Sequence, residues 1–281
     1  MTDYQQNTDD ESTDDESESS KKARGEDDVQ SKPVRGLWLL SSTAKVKPLG
    51  SVTHLGAPDI TEEGNPAVSI VSNSQGNGYW IVYANGKIEP LGAAVGFEGV
   101  LIDEGSVAAA GSASDSGLIL ALSTGGIKVI GSAEFLGSAS DMGLTSPVSD
   151  MAIIKGGYWL LTRSGRVINF GETIFLGSAS ETVEERGADA VSMASHPKGD
   201  GYWIALSDGF VISCGRSIFS GRLEDPQFPV VSIISTHDGN GYWLIDANGG
   251  VFPFGEANGF EDFAKNDNEG FGQIVSATPV F

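Results

Sequence analysis

The chain has 281 residues, 17 Lys and Arg against 38 Asp and Glu, a formal net charge of −21, 40% apolar residues and 38 glycines. So acidic a chain repels phosphate backbones, which excludes broad nucleic-acid binding. No apolar stretch approaches the roughly 20 residues needed to cross a bilayer, and one cysteine, Cys214, leaves no internal disulfide to hold the fold.

Residues 1–31 hold 11 acidic and 3 basic residues, with Tyr4 and Val29 as their core-forming side chains. Such a segment buries too little apolar surface to offset its chain entropy, so residues 1–35 read as a disordered acidic tail. The start lacks a basic stretch followed by an apolar one, which predicts no conventional secretion signal. The expectation is a cytoplasmic or virion-associated protein without membrane insertion.

From residue 36 onward the sequence repeats. GYWIVYANGKIEPLG (78–92), GYWLLTRSGRVINFG (157–171), GYWIALSDGFVISCG (201–215) and GYWLIDANGGVFPFG (241–255) align without gaps, and 36–50 and 117–131 fit the same frame. Anchored on Trp38, Trp80, Ile119, Trp159, Trp203 and Trp243, the period is about 41 residues. Glycine follows the anchor by six residues in five copies, Ala44 replacing it in the first, and by twelve in all six. Asn85-Gly86, Asp208-Gly209 and Asn248-Gly249 between apolar runs predict tight type I′ hairpins.

A further apolar run precedes each anchor, as in PAVSIVS (66–72) and PVVSIIS (229–235), and a Phe-containing segment follows, as in IFLG (174–177) and IFSG (218–221). Each unit therefore reads as four short antiparallel strands. The first copy lacks an upstream strand, whereas residues 272–281 repeat that strand alone. The fold class predicted is all-β: a six-bladed β-propeller over residues 36–281 with four-stranded blades, closed by Ile274 to Pro279 pairing beside Leu37 to Ser42.

Residues 241–255 carry most fully a pattern that resembles the Gly-Tyr-Trp-Leu, Gly-Gly-Val-Phe-x-Phe-Gly repeats of actinobacterial secreted and surface proteins. The resemblance covers residues 36–281 and implies a propeller. In that family the repeats are often appended to peptidoglycan or glycan hydrolases, but no such hydrolase domain stands in this sequence, and the first and third copies lack the Tyr-Trp pair.

Alternation along a strand sends the Tyr and the Trp of each pair to opposite faces of a blade, so these rings are expected to pack against neighbouring blades. Cys214 stands where other copies have Phe170, Phe254 or Leu91 and reads as a core hydrophobe. His54, His196 and His237 fall in unrelated frames, which argues against a metal site. No cofactor is expected. In the upstream strands Ser69, Ser192, Ser232 and Ser276 share one position with Asp150 and Ala108, predicting a ring of small side chains around a channel whose only charge is Asp150.

The links between blades concentrate charge, with 16 acids against 3 bases. Glu62, Glu63, Asp103, Glu104, Glu184, Glu185, Glu224, Asp225, Glu261 and Asp262 are among them, and propeller geometry would gather them into one acidic face. Loops of one sign on a rigid disc point to a non-enzymatic interaction module, binding a protein or cell-surface glycan partner with a basic surface, within a larger assembly. Two alternatives remain at this level: a phage virion or tail component for host recognition, and a propeller-fold glycan hydrolase centred on Asp150. The second lacks the paired carboxyl groups that glycoside cleavage usually needs.

Overall fold

The repeat unit folds six times over as a three-stranded antiparallel sheet in the computed structural model, which describes residues 35–58, 64–97, 102, 106–260 and 271–281. The acidic tail predicted over residues 1–35 lies outside the described residues up to residue 34. The chain enters with β1 (Gly36–Ser41) and β2 (Val46–Gly50), followed by β3 (Ala67–Ser72), β4 (Gly78–Tyr83) and β5 (Ile88–Gly92). Then come β6 (Val107–Ser114), β7 (Gly117–Leu122) and β8 (Ile127–Gly131), and β9 (Val148–Ile154), β10 (Gly157–Thr162) and β11 (Val167–Gly171). A seven-residue helix, α1 (Ser180–Arg186), precedes β12 (Ala190–Ser195), β13 (Gly201–Leu206) and β14 (Val211–Gly215). The chain finishes with β15 (Val230–Ser235), β16 (Gly241–Asp246), β17 (Val251–Gly255) and β18 (Ile274–Val280).

The middle strand of every sheet is buried at all six positions, as an apolar run covered on both faces requires. Its covering comes from the neighbouring sheets. Trp159 of one sheet clusters with Tyr202 and Ile204 of the next, and Trp203 with Tyr242 and Leu244. A further cluster joins Leu37 and Leu39 of the first sheet to Trp243 and Ile245 of the last. The Tyr and Trp rings are thus inter-sheet packing, each fully buried ring contributing roughly 2–3 kcal/mol.

β18 pairs antiparallel with β1, Leu37 opposite Pro279 and Trp38 opposite Thr278, so the first sheet runs in the order β18, β1, β2. Its side chains also reach β3: the Ile70 amide donates to Ser276 Oγ at 3.3 Å and the Ser72 amide to Thr278 Oγ1 at 3.2 Å.

Two local expectations are corrected. The turns between middle and outer strands are not two-residue type I′ loops, because Asn85, Asp208 and Asn248 do not take positive φ. Instead Gly86 donates its amide to the Tyr83 carbonyl while the Tyr83 amide donates to Lys87, the pattern of a three-residue loop with a glycine bulge. The glycine requirement survives: Gly165 has φ 82°, and a Cβ there would come within 2.6 Å of the Ala179 backbone.

The four-stranded blade is the second correction. Among the described residues the Phe-containing segments join no sheet and are fastened by aromatic side chains. Each Trp donates Nε1–H to the carbonyl fifteen residues on: Trp38 to Thr53, Trp80 to Val95, Trp159 to Ile174, Trp203 to Ile218 and Trp243 to Asn258, at 2.7–3.1 Å. Each Tyr hydroxyl donates to the segment of the preceding sheet: Tyr79 to Gly56, Tyr158 to Gly137, Tyr202 to Gly177 and Tyr242 to Gly221. Burial pushes the Tyr79 and Tyr202 hydroxyls up to about 12, so both keep the proton they donate.

Candidate functional site

The inner strands of all six sheets line one cavity of about 300 Å³, with Ser69, Asp150, Ser192, Ser232 and Ser276 among its residues. One member of the predicted ring is corrected. Ser69 pairs with Val82, two residues past Trp80, and Ala109 pairs with Ala121, two residues past Ile119. Ala109 therefore holds the ring position, while half-buried Ala108 sits with Val68 and Val191 on the alternate face.

Ring side chains clasp one inner strand to the next. The Ile70 amide donates to Ser276 Oγ, the Ile233 amide to Ser192 Oγ at 3.2 Å, and the Met193 amide to Asp150 Oδ2 at 2.8 Å. In each case the donor is one residue past the ring position of the following sheet. Ser69 reaches the following strand differently, donating to the Ala110 carbonyl at 3.4 Å. Ala109 has no atom that could accept the Met151 amide. Asp150 closes that gap from its own strand, accepting Met151 N–H on Oδ1 at 2.8 Å. One carboxylate thus serves two amides, which is why an acid and not a serine stands next to the alanine.

The channel walls strip bulk water from Asp150 although its side chain faces the cavity. Desolvation pushes its carboxyl up to about 6, opposed by the Met193 amide, the Ser192 hydroxyl and the Met151 amide. A second tier of clasps lies three residues further along the strands: Ser72 Oγ donates to the Pro279 carbonyl at 3.0 Å and Ser235 Oγ to the Ser195 carbonyl at 3.2 Å. Sequence reasoning passed over Ser72, Ser195 and Ser235, although all three stand opposite the Tyr of the middle strand.

Of the ten link acids singled out, Glu62, Glu63, Asp103, Glu104, Glu261 and Asp262 lie outside the described residues. Glu184 and Glu185 are exposed on α1, a helix that ends at Gly187 in the left-handed conformation, φ 64°. Glu224 and Asp225 are exposed in the next link. Three links bond to the turns of the sheets they leave: Ala139 to Gly125, Ala179 to Gly165 and Leu223 to Gly209. The strands they lead into start beside the same turns, Val148 donating to Ser123, Ala190 to Arg163 and Val230 to Ser207.

Arginines partly offset this charge. Arg163 pairs with Asp189 at 3.3 Å, Arg186 with Asp208 at 2.7 Å and Arg222 with Glu224 at 2.7 Å. Arg186 and Arg222 converge on one ring, their guanidinium carbons 4.4 Å and 4.7 Å from the Phe210 centroid.

The remaining reactive groups are held structurally. Cys214 is buried in the core cluster around Tyr202, and burial pushes its thiol up to about 11. His196 Nδ1 lies 2.9 Å from Asp200 with its ring against Trp203, His237 packs edge-on against Phe281, and His54 Nδ1 accepts the Gly56 amide. Among the described residues no three His, Cys, Asp or Glu side chains gather as a metal site. No helix among them is long and apolar enough to cross a membrane.

No protein-family model matches the chain, and no curated protein sequence does. Among solved structures it is similar to a chain of a nidogen/laminin complex, at 10% identity and TM-score 0.54, over 88% of this chain and 98% of that one. It is also similar to the β-propeller domain of Cps50 (Swd1) from Myceliophteria thermophila, at 11% identity and TM-score 0.47, over 67% of this chain and 64% of that one. Six sheets of one repeat, all of whose inner strands line one cavity, define the class: an all-β, six-bladed β-propeller.

Proposed function

We propose that this chain is a non-enzymatic interaction propeller that docks a protein of basic surface onto the face formed by its acidic links. The observation that carries the reading is the placement of exposed Glu184, Glu185, Glu224 and Asp225 in links fastened to the turns at one end of their sheets. Like charges so gathered raise the local potential over a distance of about one Debye length, near 8 Å at physiological salt. The non-enzymatic part is supported by Asp150, whose two oxygens each accept a main-chain amide and which is the one acidic side chain among the described residues that line the cavity.

The reading includes a ring closed through the C-terminal strand. The β18–β1 register and the cluster joining Leu37 and Leu39 to Trp243 and Ile245 support it.

Affinity capture with the wild type and with a Glu184→Lys, Glu185→Lys, Glu224→Lys variant tests the docking. Proteins held by the wild type, lost by the variant and released as salt rises from about 50 to about 500 mM are the expected outcome. Retention by the variant, or binding indifferent to salt, overturns it. A glycan array run beside it distinguishes a sugar ligand from a protein one.

A further inference from the structure

The third sheet breaks the repeat where it is otherwise most regular. Five sheets place an indole at the third residue of the middle strand, each donating its N–H to the carbonyl fifteen residues later. The third sheet has Ile119 there, and fifteen residues later stands Glu134, in an exposed segment. No indole reaches its carbonyl.

The neighbouring side of this joint is unchanged. Tyr158 still donates its hydroxyl to Gly137 at 2.6 Å and still lies against Phe170 at 5.5 Å, as Tyr242 lies against Phe254 at 5.6 Å. What differs is the other ring. Tyr202 and Tyr242 have Trp159 and Trp203 at 5.3 Å and 5.7 Å, whereas Tyr158 faces an isoleucine.

The surroundings fill only part of the difference. Ile153 leans over Gly111, where a Cβ would come within 2.5 Å of its Cδ1, and so occupies the inner end of the space. The outer end opens as a pocket of about 650 Å³ whose lining includes Ile119, Tyr158, Leu136, Ile153 and Glu134. Its rim is polar, with Ser132 Oγ at 3.1 Å from Ser114 Oγ and 2.7 Å from Ser116 Oγ, and Lys155 in the turn between β9 and β10. An apolar floor and a few polar groups at the edge make the composition of a small-ligand site.

We propose that this pocket between the third and fourth sheets receives an indole-type ring from outside the chain, its N–H bonding the Glu134 carbonyl, in the place the other five sheets fill with their own tryptophan. The chemistry required is a planar apolar ring of indole size with one donor on its edge. It is supplied by a free indole-like compound or by a tryptophan side chain of a partner. The site is separate from the acidic links, so the docking proposal and this one fail independently.

The test uses the full chain, labelled on isoleucine methyl groups and titrated with three probes: indole, N-methylindole and N-acetyltryptophanamide. Indole is expected to shift the Ile119 and Ile153 methyl signals in a saturable way. N-methylindole, lacking the donor, is expected to bind about tenfold more weakly, the worth of one hydrogen bond. Binding of N-acetyltryptophanamide as tight as that of indole assigns the source to a partner side chain; exclusion of it with indole retained assigns a free compound. Ile119→Trp is expected to melt no lower than the wild type and to abolish the indole shifts. Absence of methyl shifts at saturating indole in the wild type overturns the proposal without any variant. So does equal affinity for N-methylindole, or indole binding that survives in a folded Ile119→Trp.

Discussion

The third and fifth sheets share one ladder order and one burial pattern, with middle strands GLILAL and GYWIAL buried at every position, yet they hold their outer segments differently. The fifth sheet's segment is fastened by Trp203 to Ile218 and by Tyr242 to Gly221, whereas the third sheet's has only Tyr158 to Gly137. An apolar run bounded by glycines is therefore enough to build a sheet. The aromatic pair adds something else: it fixes where a segment outside the ladder rests.

The sharpest way to break this comparison is Trp203→Ala, which removes both a ring in the inter-sheet core and the donor to Ile218. It is expected to cost about 3–5 kcal/mol in denaturant unfolding. A loss below about 1 kcal/mol would mean that the fifth sheet depends on its indole no more than the third.

The inner strands offer a second contrast, since the third sheet supplies Ala109 where the fifth supplies Ser192. Asp150→Ser leaves the Met151 amide unanswered and is expected to cost about 1–3 kcal/mol at neutral pH. Ala109→Ser in the same chain should recover most of that loss. Failure to recover it removes the explanation given for the acid. Because desolvation raises the Asp150 carboxyl from 3.8 to about 6 on folding, the folded chain favours the protonated acid, and the stability due to that preference is fully present below about pH 4 and lost as pH rises through about 6, while the bonds from the Met151 and Met193 amides remain. Thermal melts across that range should therefore show the wild type losing ground against Asp150→Ser as pH rises; parallel curves would contradict it.

Smallest in effect, Trp203→Phe and Tyr202→Phe each remove one donor and keep a ring. Each should cost about 1 kcal/mol, with faster amide exchange confined to the segment released, around residues 218–221 or 174–177. Equal exchange in both segments for either variant would uncouple the donors from the segments they hold.

Much of this architecture is legible in the sequence because a 41-residue period, glycines at two fixed offsets and an apolar run are strong signals that do not depend on context. The outer segments were misread for a physical reason. Ile174-Phe175 and Ile218-Phe219 have the composition of strands, but their four side chains are 52–66% exposed, and the bonds that hold the segments come from side chains elsewhere in sequence. Register was the other limit. The connection from inner to middle strand is one residue shorter in the third sheet, from Ala109 to Gly117, than in the second, from Ser69 to Gly78, which puts Ala109 and not Ala108 into the ring. The helix α1 hides in a link whose ETVEER run is short and whose stop signal is a single Gly187. The role of Asp150 needed coordinates, since it depends on what the preceding sheet lacks.

Neighbouring inner strands meet through a few side-chain to main-chain bonds, such as Ser276 to Ile70, Asp150 to Met193 and Ser192 to Ile233, while each sheet is internally laddered. Mechanical compliance should follow that division. A load borne by one sheet should strain these joints before it shears any ladder.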